Sequence, residues 1–234
     1  MQNNLIPIIF FILLITATIV IFKKKKRTRQ LGFIKSYLFH KSIKNKIYNK
    51  HPQLTPDESH LVFRALRDYF WMCNKANRNM VAMPSQIVDE AWHEFILFTR
   101  NYEQFCSKAL GRFLHHTPTE AMSSPTLAQS GIKRAWRLAC AKENIDPNNP
   151  KKLPLIFSID SMLNIPGGFN YSLDCLANKQ NSTNSSTGNY CAGHINCASG
   201  CAGDSGVIND SDGGFFDGMF DSSGSDCGGG CGGD

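Results

Sequence analysis

Two clusters of histidine, cysteine and aspartate could carry chemistry. The first lies in MPSQIVDEAWHEFILFTRNYEQFCSKALGRFLHHTP, residues 83–118. Asp89 and His93 are four apart, so on a helix they share one face. A carboxylate there can accept the imidazole N–H and orient the ring, as carboxylates behind metal-bound histidines do. Cys106, His115 and His116 follow and could fold back beside His93. A His/Cys/His set suits zinc. The same residues fit better a packed helix on which Trp92, His93 and Asp89 are only hydrogen-bonded core partners. There is no HExxH: Glu94 follows His93, but Leu97 stands where the second histidine belongs. On one straight helix, thirteen residues separate His93 from Cys106 by about 20 Å. A Cys106 nucleophile would therefore need His115 or His116 as its base. The His115–His116 pair otherwise reads as polar loop surface.

The second cluster is Cys191, His194, Cys197 and Cys201, with Cys227 and Cys231 beyond. Its x2 and x3 spacings are those of zinc ligands. No matching pair follows at finger spacing, and a Gly-rich backbone preorganises ligands poorly. Free thiols, metal capture and disulfides all remain open; a cytosolic location disfavours the last. No triad, P-loop, dinucleotide fingerprint or paired-carboxylate motif is present, so no catalytic machinery is recognisable. No cofactor is implied beyond zinc.

The elements that must position these residues begin with an apolar run. LIPIIFFILLITATIVIF, Leu5 to Phe22, holds no charge. As a helix it spans about 27 Å, near the hydrocarbon thickness of roughly 30 Å. Lys23, Lys24, Lys25, Lys26 and Arg27 follow at once. The positive-inside rule then predicts a single-pass anchor with its N-terminus outside and the rest cytoplasmic. A signal peptide would carry its basic residues before the apolar run, and a small-residue cleavage site after it. Residues 5–27 are the predicted lipid contact, with the basic block on anionic headgroups.

The net charge of +6 describes no single region. Lys23 to Leu54 holds eleven Lys or Arg and no acid, whereas Leu176 onward holds seven Asp against one Lys. This polarity argues against a nucleic-acid partner, and no RNP aromatic-basic pattern is present. Gly32 to Lys50 reads as a basic amphipathic stretch, on the membrane surface or as the first domain helix. Thr55, Pro56 and Glu58 form a capping box opening a helix to about Ala76. One helix is predicted from Ser85 to Gly111, another after Pro125, and a short one over Leu155–Leu163 before the IPGGF turn. No period-2 run argues for a sheet. After Leu176 lie 14 of the 19 glycines, and the composition predicts disorder. The expected fold class is all-α: an anchor over 1–29, a small helical bundle over 30–175 and a disordered tail over 176–234.

Val88, Asp89, Trp92, His93, Tyr102, Cys106, Gly111, His115, His116 and Pro118 resemble the pattern of the glycine-rich domain-containing protein-like family. Leu153–Phe169 is similar to the end of its bacterial versions. The resemblance implies a helical domain over roughly residues 32–175, a bacterial inner-membrane location and no known reaction. The expected function is a membrane-anchored interaction or scaffold module with an unidentified protein partner. The alternative is a metal-binding protein.

Overall fold

The computed structural model describes residues 5–116, 125–173, 189–191 and 195, with the backbone alone at 5–7, 125–128 and 189–191. Helix α1, Leu5–Ser36, joins the apolar run to the basic one without a break. Pro7 falls in its first turn, where a missing N–H costs little. Among the described residues, no helix is long and apolar enough to cross a membrane. The described apolar side chains run only from Ile8 to Phe22, about 22 Å of helix. The large ones, such as Phe10, Phe11, Leu13, Leu14, Ile21 and Phe22, are exposed around the whole circumference.

The second half of α1 enters the core. Ile34 is buried, and Phe33 and Leu31 pack beside it. Helix α2, Lys41–Lys50, follows, capped by His40, whose Nδ1 accepts from the Ser42 N–H at 3.2 Å. Ile43 and Ile47 are fully buried, so the basic amphipathic stretch belongs to the domain rather than lying apart from it.

Helix α3, Pro56–Lys75, starts at the expected capping box. Glu58 N–H donates to Thr55 Oγ1, and Thr55 N–H donates to Glu58 Oε2 at 2.8 Å. It is the central helix and touches every other helix of the domain. Its stripe of Val62, Ala65, Leu66, Tyr69, Phe70 and Cys73 is buried, as the 3.6-residue period requires.

The single helix expected from Ser85 to Gly111 is instead two, α4, Gln86–Ile96, and α5, Thr99–Leu110. The turn at Leu97–Phe98 folds them together. Trp92 Nε1 donates to Tyr102 Oη at 3.1 Å, and Phe95 meets Tyr102 and Phe105 with ring centroids 5.3 Å apart. Ten residues of straight helix would hold Trp92 and Tyr102 about 15 Å apart. Burying these rings with Phe70 outweighs the interruption of the helical bond ladder at the turn. The straight-helix separation of His93 from Cys106 therefore does not apply.

Helix α6, Pro125–Glu143, and helix α7, Leu155–Met162, complete the bundle. Trp136 is wholly buried against Phe157, and its Nε1 donates to Pro147 O at 3.1 Å. Gly167, at φ +70°, makes the expected turn.

The described residues are mostly helical, in keeping with the expected all-α class, and two three-residue strands are added to the helices. Strand β1, Asn170–Ser172, pairs in parallel with β2, Asn189–Cys191, Tyr171 opposite Tyr190. Strands this short show no legible alternation. The rest of the expected disordered tail, apart from Ile195, lies outside the described residues.

A buried carboxylate ties the end of the chain to α4. Asp160 on α7 accepts from Ser85 Oγ at 2.7 Å and from the N–H groups of Gln86 at 2.6 Å, Ile87 at 3.3 Å and Phe169 at 3.0 Å. These satisfy the orphan donors of the first turn of α4 and complement its positive end. Gly168 is required here: a Cβ on it would lie 2.8 Å from Asp160 Cβ.

Candidate functional site

Helix α4 presents Asp89 and His93 one turn apart, as their spacing requires. The third member arrives from a different element. Gly111, at φ +69°, ends α5 in the left-handed region and turns the chain back along it. Tyr102 Oη then donates to Leu114 O at 2.5 Å and fixes the returning segment. His116 is thereby set over α4, its ring edge-on to Trp92 at 4.6 Å.

His116 Nε2 lies 2.9 Å from Asp89 Oδ1, and His116 Nδ1 lies 3.4 Å from His93 Nε2. His93 Nδ1 lies 3.7 Å from Asp89 Oδ2. One ligand atom from each of the three lies within 4.8 Å of the others. The cluster is graded in exposure: side chains of His116 at 16%, Asp89 at 23% and His93 at 51%. It is a rimmed, open site rather than a sealed one.

Two of the sequence candidates are not in it. Cys106 is buried in the core under Tyr102, and burial pushes its thiol up, away from thiolate character. His115 alternates to the opposite side of the extended segment and lies tilted against Phe113, ring centroids 4.8 Å apart. His93 and His116 are brought together; Asp89, read from sequence as an orienting partner, is a full member. Of the tail set, the Cys191 backbone lies in β2, while His194, Cys197 and Cys201 lie outside the described residues. Lys23 to Arg27 stand on α1. Arg27 donates to the carbonyls of Asn74 at 3.0 Å and Lys75 at 3.2 Å, the C-terminal end of α3.

Beside the site, Glu90 joins α4 to α2. It lies 2.7 Å from His51 Nε2 and 3.1 Å from Lys50 Nζ. Burial pushes its carboxyl up, but the bonds from His51 and Lys50 and the Lys50 charge outweigh burial, and the net direction is down. A lowered carboxyl stabilises the fold above the ordinary carboxylate range, and that contribution is lost as pH falls through the folded value. Glu90→Gln is expected to cost about 1–2 kcal/mol at neutral pH. The gap from wild type should close in acid, measured by urea unfolding across pH; a gap that widens in acid would contradict this origin.

Fold and cluster together define a helical domain with an open two-histidine, one-aspartate constellation. The chain belongs to the UCP032817-like family, whose family model matches residues 29–195. The match overturns the resemblance to glycine-rich domain-containing proteins, since no such family is shown. That resemblance rested in part on Val88, Trp92, Tyr102 and Cys106, whose types core packing explains. No curated protein and no solved structure matches the chain.

Proposed function

We propose that the chain is a membrane-tethered helical module that holds its domain directly against an anionic bilayer surface. One observation carries this: α1 is bare and apolar on all sides over Ile8–Phe22, then runs unbroken into the core. An exposed apolar cylinder of this size needs a cover. In the sequence the apolar run continues back through Pro7, Ile6 and Leu5 to eighteen residues, enough to span.

The charge distribution supports the same reading. Where α1 meets the domain, Lys23, Lys24, Lys25, Lys26, Arg27 and Arg29 stand on it. The ends of α3 and α5 beside them add Lys75, Arg78, Lys108 and Arg112. Lys26 and Gln30 approach Gly111, and Arg112 donates to Asn77 O at 2.7 Å, so these residues share one end of the bundle. Residues 23–35, 72–82 and 107–113 contain no Asp or Glu. Each such cation near an anionic surface contributes about 1 kcal/mol. The positive-inside rule places the domain on the cytoplasmic side. The module has no recognisable catalytic machinery and would serve by positioning a protein partner at the membrane.

The test is extraction of the full chain from cell membranes. It should resist both high salt and alkaline carbonate. Ile12→Lys with Ile15→Lys should release it, because each Lys at a span centre costs about 2.5–3.5 kcal/mol. Release of the wild-type chain by carbonate would overturn the anchor.

A further inference from the structure

We infer that Asp89, His93 and His116 form a binding site for one divalent first-row transition ion of the zinc class, open on one side. The donor set is one carboxylate oxygen and two imidazole nitrogens. It is that of three-ligand metal sites, which leave a position for water or an exogenous ligand.

Four observations point the same way. The three candidate donor atoms converge within 4.8 Å although they come from two separate elements. Zinc bonds of about 2.0–2.2 Å place neighbouring donors roughly 3.3 Å apart in a tetrahedron. The side chains already meet, at 2.9 Å for His116 Nε2–Asp89 Oδ1, 3.4 Å for His116 Nδ1–His93 Nε2 and 3.7 Å for His93 Nδ1–Asp89 Oδ2, although these contacts use both nitrogens of each ring rather than one donor apiece. Binding one ion would require each ring to rotate so that a single nitrogen faces it, starting from donors within 4.8 Å of one another. The support behind the donors is fixed: Asp89 rides on a helix with a buried face, and Trp92 and the Tyr102–Leu114 bond hold His116. Such outlying contacts set ligand geometry and affinity. Finally, His93 is half exposed, so the unfilled side of the site faces solvent.

The chemistry of the exchange is defined. Without an ion, His93 Nε2–H can donate to His116 Nδ1, and His116 Nε2–H to Asp89 Oδ1. A divalent ion takes the nitrogen lone pair of each ring and the carboxylate charge. Any proton held on a ligating nitrogen leaves to solvent, so binding is weaker in acid. Cys106 takes no part: it is fully buried, and among the described residues the converging group is Asp89, His93 and His116 alone. The site therefore contains no sulfur, which separates it from anything the tail cysteines do.

Cobalt(II) is the probe. The full chain in detergent micelles, stripped of metal and kept reduced, is titrated with Co(II). One equivalent should give visible d–d bands without the intense near-ultraviolet thiolate charge-transfer band. Adding azide should shift those bands, because a ligand position is open. The bands should persist when Cys191, His194, Cys197 and Cys201 are all changed to Ser. Affinity should fall at least 100-fold in His93→Ala and in His116→Gln. His93 is exposed and can be replaced without unfolding the domain, which a thermal melt confirms. A Co(II) affinity that is unchanged in His93→Ala, a spectrum showing thiolate bands alone, or no stoichiometric binding would each overturn the site.

Discussion

Replacing Asp160 with alanine is expected to lower the unfolding free energy by about 3–5 kcal/mol. The carboxylate accepts four hydrogen bonds, from Ser85, Gln86, Ile87 and Phe169. Asp160 is 2% exposed, so water cannot replace it for the inner donors. Burial pushes its carboxyl up, against the pull of those donors, which means the charge is held at a desolvation cost. Asparagine removes that cost but turns one acceptor oxygen into an amide NH2 facing two donors. Asp160→Asn should therefore recover little, and still cost about 2–4 kcal/mol. The effect should be read by urea unfolding of the full chain in micelles. A loss under 1 kcal/mol for the alanine variant would show that the donors find other partners.

That bond set also marks where sequence reading stopped. The capping box at Thr55, the buried stripe of α3 and the short helix before IPGGF were legible because local rules decide them. Asp160 was not, because three of its four partners lie 73–75 residues away and nothing in LIFSIDSM distinguishes a buried aspartate from a solvated one. The break at Leu97–Phe98 was illegible for a related reason. No glycine or proline marks it, and no side chain caps α5. Only the tertiary gain of stacking Trp92, Phe95, Tyr102 and Phe105 pays for it.

The cluster divides along the same line. Asp89 and His93 were readable as one helix face. His115 and His116 were equal candidates, since adjacent residues of an extended segment differ only in which side they face. Which one turns inward depends on where Gly111 and Tyr102 set the register. Cys106 looked eligible by type and spacing, but its place on the buried stripe of α5 commits it to the core. The apolar run was legible from composition alone, whereas its direct continuation into the core was not.

Tyr102→Phe is expected to cost about 2–3 kcal/mol and to loosen the cluster without touching it. The hydroxyl is at once donor to Leu114 O and acceptor from Trp92 Nε1. Its removal leaves a buried indole N–H and a backbone carbonyl without that partner, at about 1–3 kcal/mol for each unsatisfied group, partly relieved by relaxation. The ring stays, so Phe95 and Phe113 keep their edge contacts and no cavity opens. What is lost is the tie that sets the Leu114–His116 segment, two residues from the His116 ring. Two measurements separate positioning from bulk stability. Imidazole NMR signals of His116 should shift and broaden, and Co(II) affinity should fall about tenfold. Trp136→Phe serves as the control: it removes the Trp136–Pro147 bond on α6 at comparable cost, far from the site. That variant should leave the His116 signals and Co(II) affinity as in the wild type. Equal changes in both variants would mean that the site responds to global stability alone, and that Tyr102 does not position His116.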